Sequence, residues 1–449
     1  MRSRFRGRAI GSIVVGIVAA CSFKLPGGTG GGDDVITPDA GPCVDVGSAC
    51  AGSNLRVCSA KDALPTDIAC AWGCLDGPPA HCGTLSPSGG AVTADDLLPS
   101  GDLADTDLTG LSTITIDSED GSIGIGSGGT ELRDPGPGVL RGIDFIQRGN
   151  VSIFRFKNLT VSSKIRVLGR HAVALVAIET ITVAERVDVS CISNQNAGPG
   201  GFDGGARGSN GGGSGAGEAG SGGSGDCSGG AGGSFAALGG VGGKSSGRNN
   251  PQPGAAYGDP LISLLVGGAG GGGGGGDSDD RGSGGGGGGA LQLTANEHIV
   301  IMANGAIDAG GCGGLRGSNK SCGGGGGAGG AILLEAATID LAGSIIIAAN
   351  GGGGGCGSGS GSGSDGQLST DRANGGTGNA NGGSGGAAGS GNLDGAPGAD
   401  DGSNGAGGGG GVGWIRIDTL SGTATVAPGV VISPALGDAT SSQGAAIVQ

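Results

Sequence analysis

Short runs of alternating apolar and polar residues recur along this chain, with glycine, asparagine or other turn-forming residues between them. Clear examples are Thr113–Asp117, Ser122–Ile125, Val151–Phe156 and Lys164–Val167. A period of two places successive side chains on opposite faces of a β-strand, and no helical period of similar length competes with it. The pattern therefore predicts an all-β protein.

Four of these runs align with one another without gaps over their first five positions. Each is followed by a second short apolar run, and three of them by a third. The runs start 118, 41 and 83 residues apart, so the longer intervals are near three and two times the shortest. They are Ala172–Val176, Ala290–Thr294, Ala331–Glu335 and Trp414–Asp418.

This repetition predicts a right-handed parallel β-helix-like solenoid over residues 91–449. One turn of strands cannot bury its own apolar face, but stacked turns form a continuous core. Leu293, Leu334 and Ile417 occupy equivalent positions and should form one apolar column. A β-sandwich also uses many short strands, but it explains less well why equivalent positions repeat the same residue types.

Long glycine-rich inserts interrupt the repeats at about 196–288 and 351–411. Glycine accounts for 117 of the 449 residues, without the three-residue period of collagen. Ordering a glycine costs about 0.5–1 kcal/mol more than ordering an alanine, and the second insert has only Leu368 and Leu393 as large apolar residues. We therefore expect the inserts to be mobile loops, or ordered only by backbone hydrogen bonds as in bundled polyglycine II helices.

Two expectations about the inserts follow from their composition. Residues 352–410 should bury almost no surface and add little to stability, because they contain so few apolar side chains. Within the first insert, Leu261–Val266 is apolar except for Ser263, which predicts a strand that returns to the core.

The N-terminus has the features of an export signal. Four arginines precede the uncharged stretch Ala9–Ala20, which is too short to span a bilayer. Val18-Ala19-Ala20-Cys21 resembles the bacterial lipobox, which implies that residues 1–20 are removed and that Cys21 is acylated. The alternatives are an ordinary signal peptide or a short membrane anchor.

Lipidation predicts a partner and a location. Several acyl chains on Cys21 would tether the mature chain to a membrane surface, with residues 21–42 as a flexible linker. Ser22 follows the cysteine where an aspartate would favour retention at the inner membrane. We expect an outer-membrane lipoprotein of the bacterial envelope, on its surface or periplasmic face.

Twelve cysteines fit an oxidising compartment. Six of them lie in residues 43–83 and predict a small disulfide module with fifteen possible connectivities; a zinc site is disfavoured because paired C-x2-C ligands are missing. In the remainder of the chain, spacing favours pairing within one loop, Cys312 with Cys322 and Cys191 with Cys227, and leaves Cys356 over; Cys312 with Cys356 is an alternative. The module cysteines are Cys43, Cys50, Cys58, Cys70, Cys74 and Cys82.

The net charge and the residue types limit which functions the chain can have. The formal net charge is −15 and no basic patch is present, which argues against nucleic-acid binding. Parallel β-helices can carry polysaccharide-cleaving carboxylates, but the candidates fall on different strands of the repeat, so we predict no catalytic residues, no metal and no cofactor. Glu335 and Asp418 are outward-facing residues at nearly equivalent positions of the repeat, whereas Asp340 belongs to the second strand and Asp308 to the third.

The lipobox, the cysteine-rich stretch and the repeats together resemble the glycine-rich predicted surface lipoproteins of myxobacteria. The repeats that carry the resemblance are His171–Ala177, Gly285–Leu293, Gly330–Ala336 and Gly413–Ile417. The resemblance implies a surface lipoprotein and brings no established activity.

We therefore expect a non-enzymatic protein that contacts an extracellular glycan or a surface protein through its glycine-rich loops, in adhesion, matrix building or envelope interaction. The alternative is a β-helix carbohydrate-active enzyme, a polysaccharide lyase or hydrolase. An aromatic content of 2% leaves little for sugar stacking.

Overall fold

The protein is essentially all-β, as the alternation predicts. A computed structural model describes residues 42–110, 112–126, 130–223, 225–277, 281–383, 385 and 392–449. Within these ranges the regular structure consists of β-strands and one short 3-10 helix, Ala94–Leu97. The predicted signal peptide, Cys21 and residues 22–41 of the predicted linker lie outside the described residues.

The N-terminal module is a small antiparallel structure joined by three disulfides. Cys43 bonds to Cys58, Cys50 to Cys74 and Cys70 to Cys82, which is one of the fifteen connectivities left open by the sequence. Its strands are β1 (Gly47–Ala51), β2 (Asn54–Cys58), β3 (Thr66–Ala69), β4 (Cys74–Leu75) and β5 (His81–Cys82).

The rest of the described chain contains twenty-six strands. In chain order they are β6 (Asp105–Leu108), β7 (Ile114–Asp117), β8 (Ile123–Ile125), β9 (Glu131–Arg133), β10 (Gly138–Leu140), β11 (Ile143–Arg148), β12 (Val151–Phe156), β13 (Asn158–Val161), β14 (Ile165–Leu168), β15 (Ala172–Ala177), β16 (Thr180–Val183), β17 (Arg186–Asp188), β18 (Gly222–Gly223), β19 (Asp226–Cys227), β20 (Ala290–Ala295), β21 (His298–Ile301), β22 (Ala306–Asp308), β23 (Ala331–Ala336), β24 (Thr338–Leu341), β25 (Ile346–Ala348), β26 (Gly357–Gly359), β27 (Gly378–Ala380), β28 (Trp414–Thr419), β29 (Thr425–Val426), β30 (Val431–Ser433) and β31 (Ser441–Ala445).

Most of these strands belong to three large sheets, which successive passes of the chain visit in the same order. The first sheet has the order β10-β11-β12-β15-β20-β23-β28-β31, the second β29-β24-β21-β16-β13-β6, and the third β30-β25-β22-β17-β14-β7-β8-β9. From β12 onward each strand of these three sheets pairs in parallel with its equivalent in the next pass, whereas the two small pairs β18–β19 and β26–β27 are antiparallel. This parallel pairing differs from the antiparallel sheets of the sandwich alternative.

The strand register confirms the predicted apolar column. Leu293 pairs with Leu334, and Leu334 with Ile417, and all three are buried. They belong to a cluster of Val, Ile, Leu, Phe and Ala side chains from all three sheets that forms the main core. Strict alternation sets this arrangement, because a shift of one residue would turn each apolar set outward.

A second apolar cluster covers the opposite face of the first sheet. Trp72 of the module and Leu85 of the following segment pack there, and Trp72 Nε1 donates to Asn296 Oδ1 at 3.0 Å. Residue Leu85 also bridges to Val448 near the C-terminus. Segment 84–93 therefore lies across the outer face of the first sheet and buries polar side chains that alternation would leave exposed.

Candidate functional site

The glycine-rich inserts fold into a packed block, here named the glycine bundle. It comprises residues 209–221, 228–243, 267–276, 282–289, 309–317, 322–330, 349–356, 361–366, 373–385 and 393–413 within the described chain, and several of its segments lead directly into strands of the first sheet. Most of its glycines are buried, and the segments are joined by backbone hydrogen bonds of 2.7–3.3 Å.

Segment 322–330 shows how the bundle is built. The amides of Gly324, Gly327 and Gly330 donate to segment 309–315, at 2.9, 2.9 and 2.7 Å. Every third amide counted from Cys322 donates to segment 269–275, and every third amide counted from Gly323 donates to segment 405–411. The carbonyls of the same segment accept from three further segments, 230–233, 282–288 and 352–355. Segment 322–330 thus has six hydrogen-bonded neighbours.

A three-residue repeat of hydrogen bonds to neighbouring segments is typical of the polyproline II conformation. That helix has three residues per turn and no internal hydrogen bonds, so every amide and carbonyl is available to a neighbour. The sequence left two expectations for the inserts, mobile loops or order through backbone hydrogen bonds as in bundled polyglycine II helices. The structure agrees with the second.

The bundle requires glycine for steric reasons at its centre. A Cβ atom at Gly326 would lie 2.1 Å from the carbonyl oxygen of Gly352, and one at Gly330 would lie 1.8 Å from that of Gly289. Both distances are far below van der Waals contact. The segments can approach closely enough to hydrogen-bond only because they lack side chains.

The expectation that residues 352–410 bury almost no surface is wrong. Gly352, Gly353, Gly354 and Gly355 are buried, and the amide of Gly410 donates to the carbonyl of Gly352 at 2.8 Å. The expectation counted apolar side chains only. Each backbone hydrogen bond contributes about 0.5–1.5 kcal/mol net, which is comparable to the extra cost of ordering a glycine.

Two disulfides join different passes of the chain, so the predicted pairing within single loops is wrong. Cys191 bonds to Cys312 and Cys227 to Cys322, whereas Cys356 is a buried free thiol whose pKa is raised by burial. Equivalent segments of adjacent passes lie next to each other in the bundle, which brings cysteines from distant parts of the sequence together.

Glu335 and Asp418 are the only two candidate carboxylates that adjoin in strand register, and both are buried. Glu335 Oε1 accepts from the amide of Ser88 at 2.8 Å, and its Oε2 accepts from Gln292 Nε2 at 2.8 Å. Burial is the main cause that raises the pKa of Glu335 to about 7, and the nearby Asp418 adds to it. The pKa of Asp418 is also raised by burial, although Arg416 lies 2.6 Å away.

The other two candidates lie on other sheets. Asp308 of the third sheet is buried and accepts from Arg186 Nη2 at 2.6 Å; burial raises its pKa to about 6. Asp340 of the second sheet lies 3.0 Å from His298 Nε2. The four carboxylates therefore do not converge on one accessible site.

Two adjoining cavities share Arg170, Gly201 and Phe202 in their linings, and the larger of them lies beside the segment that follows the module. The larger has a volume of about 550 Å³ and is lined mainly by apolar side chains, including Phe202 and Leu264; the smaller has about 390 Å³. The sequence does not predict either cavity, and the prediction that Leu261–Val266 is a strand is wrong. The structure makes that run a turn-containing segment, in which Ile262 and Leu265 are buried and Leu261 and Leu264 are exposed.

Among the described residues, one group of potential metal ligands is close together: Cys191, Cys312 and Asp365. The two sulfurs are bonded to each other at 2.05 Å, so neither is available as a thiolate. In the part of the chain that the structure describes, no helix has the length and hydrophobicity needed to cross a membrane.

Comparison of the chain with protein-family models, with curated proteins and with solved structures finds no match in any of the three.

Proposed function

We propose that this protein is a non-enzymatic lipoprotein anchored at the surface of a bacterial envelope, in which a parallel β-solenoid carries the glycine bundle as a rigid contact surface. The observation that carries the proposal is the bundle, in which segment 322–330 hydrogen-bonds to six neighbours. A block fixed by backbone hydrogen bonds and two disulfides can present a surface without rearrangement, which reduces the entropic cost of binding.

The exposed turns at one end of the bundle supply such a surface, here named the end surface and formed by 244–250, 318–320, 357–359 and 400–404. These turns are tied together by backbone hydrogen bonds, among them Ser358 N to Ser321 O at 3.0 Å and Asp401 N to Lys244 O at 3.1 Å. The turns carry lysine, arginine, asparagine, serine and aspartate side chains. Polar groups held on a fixed frame suit recognition of a glycan or of a polar protein surface.

The solenoid interpretation is supported by the strand register. Three sheets are visited in the same order by successive passes, and equivalent strands pair in parallel. The lipoprotein part is supported by the sequence around Cys21 and by the likeness to the glycine-rich surface lipoproteins of myxobacteria.

A non-enzymatic role is supported by the positions of the candidate carboxylates. Polysaccharide hydrolysis needs two carboxyl groups that flank the scissile bond and that substrate can reach. Glu335 lies under segment 84–93, Asp418 next to it is buried, and Asp308 and Asp340 are on two other sheets. The carbohydrate-active alternative therefore lacks an accessible pair among the described candidates.

The test combines a glycan array, a reducing-end assay and a charge reversal on the end surface. The mature chain should bind a subset of surface glycans without releasing new reducing ends. Lys244→Glu with Lys320→Glu should weaken that binding by about tenfold, whereas Lys61→Glu with Lys164→Glu, a matched reversal at two exposed lysines elsewhere, should not. Turnover that is abolished by Glu335→Gln would instead establish the enzyme alternative.

Anchoring is tested separately by labelling cells with a fatty-acid analogue. The wild-type chain should take up the label and Cys21→Ala should not. Label retained by the alanine variant would exclude Cys21 as the acylation site.

A further inference from the structure

The larger of the two cavities has the size and lining of a small-molecule site. Its volume of about 550 Å³ lies within the range of about 300–1,000 Å³ that is usual for ligand sites. It opens where the segment after the module, the start of β12 and the first glycine insert meet. Its apolar walls are formed by Ala91, Val151, Phe202, Leu264, Leu265 and Val266.

The loop that forms one wall of the larger cavity has an isoleucine in a backbone conformation that glycine would adopt with less strain. Ile262 has a φ of +49°, a conformation that a β-branched side chain adopts rarely and at a cost of about 1–3 kcal/mol. Two backbone hydrogen bonds of 3.0 Å, from Gly89 to Ile262 and from Leu265 to Gly89, hold the loop against the preceding segment. The same loop leaves Leu264 67% exposed at the cavity.

The charged groups around the two cavities have a definite order. The described lining of the larger cavity contains no carboxylate, and its two cations are Arg148 and Arg170. Arg148 is neutralised by Asp96, to which its Nη2 donates at 2.8 Å. Arg170 lines both cavities and is 88% exposed. Its nearest carboxylate is Glu119, at 4.0 Å.

The smaller cavity lies beyond Arg170 and is acidic. Its lining includes Asp117, Glu119 and Asp203. Asp203 Oδ1 accepts from the amide of Ala197 at 2.9 Å, and Asp117 Oδ1 accepts from the amide of Glu119 at 2.8 Å. From the larger cavity outward, the surface is therefore apolar, then cationic at Arg170, then anionic at Asp117 and Glu119.

We propose that the two cavities together bind an amphiphile with an apolar chain and a zwitterionic head group whose anionic group lies next to the chain. The chain would fill the larger cavity, a phosphate would contact Arg170, and an ammonium group beyond it would contact Asp117 and Glu119. This order of groups is that of a phosphate-linked zwitterionic lipid. The site is separate from the end surface and does not depend on Cys21.

Binding of the chain is tested by titrating the mature protein with dodecylphosphocholine below its micelle concentration, with isothermal calorimetry as the measurement. Saturable binding to one site per chain is expected. Leu264→Asp should weaken it by about tenfold or more, because a charge replaces an apolar wall. Leu261→Asp is the matched control, since Leu261 lies in the same loop, is 54% exposed and does not line either cavity.

The head group is tested with Arg170→Glu and with two further amphiphiles, dodecyl phosphate and dodecyl maltoside. Wild type should bind dodecylphosphocholine most tightly and the uncharged maltoside at least about tenfold more weakly. Arg170→Glu should remove this preference, whereas Lys61→Glu, an equal charge change on the module, should keep it. Thermal melts of the leucine, arginine and lysine variants check that each of them remains folded.

Three results would overturn the proposal: absence of saturable binding of dodecylphosphocholine, equal effects of Leu264→Asp and Leu261→Asp, or equal affinities of wild type for all three amphiphiles. None of these results bears on glycan binding at the end surface, so failure here is distinguishable from failure of the proposed function.

Discussion

At the scale of single residues, Glu335 shows how far alternation along a strand can be trusted. The pattern places its side chain on the outward face of the first sheet, next to Asp418, and the register confirms that placement. The same pattern does not reveal that segment 84–93 covers the face and contributes the amide of Ser88 as a hydrogen-bond donor. Burial by a distant part of the chain is a tertiary effect without a local signal.

The raised pKa of Glu335 makes stability depend on pH. The pKa of the Glu335 carboxyl is about 7 in the folded protein, against an ordinary value of 4.5. The stability that protonated Glu335 contributes is therefore fully present below about pH 4.5, and it is lost as the pH rises through about 7. Glu335→Gln removes this loss, so at pH 8 the variant should be more stable than wild type by about 3 kcal/mol, and at pH 4 the two should be similar.

Denaturant unfolding at several pH values between 4 and 8 measures this difference. Glu131→Gln, a carboxylate-to-amide change at an exposed position, is the control. Parallel pH profiles for wild type and Glu335→Gln would contradict the assignment of a buried, protonated Glu335.

At the scale of elements, the strands of the repeats are predictable from the sequence, and the glycine segments only in part. Period-two alternation fixed the faces of β15, β20, β23 and β28, because one face had to be buried. The glycine segments have no side-chain pattern from which neighbours could be inferred. Their order arises from hydrogen bonds between segments distant in sequence, so composition alone allowed both a mobile and a bonded state.

Glycine at the centre of the bundle should tolerate no added methyl group. Gly326→Ala places a Cβ 2.1 Å from a carbonyl oxygen, and the neighbouring segment must move. We expect a loss of at least about 2 kcal/mol. Gly402→Ala, in another segment of the glycine bundle but with no atom within 4 Å of the new Cβ, should be neutral or slightly stabilising.

Thermal or denaturant unfolding of both variants measures this difference in stability, since alanine stabilises the folded chain more than glycine does wherever no neighbouring atom obstructs its Cβ. A Gly326→Ala protein as stable as wild type would show that the segments are not in close contact.

At the scale of the whole molecule, the core and the bundle form one connected structure. The bundle segments lead directly into β20, β23 and β28, and two disulfides link successive passes within it. Apolar side chains hold the three sheets together, whereas backbone hydrogen bonds hold the bundle together. The disulfide pairing could not be predicted from spacing, because it depends on which segments become neighbours across passes.

Hydrogen–deuterium exchange of the amides in segment 322–330 tests the ordered bundle most directly, because each of these amides has a carbonyl acceptor on a neighbouring segment. We expect all nine consecutive amides to be protected to a degree similar to those of β20 and β23, with no alternation along the segment. Exchange at the rate of an unstructured peptide would contradict the bundle and would make the inserts mobile loops on an otherwise intact set of sheets.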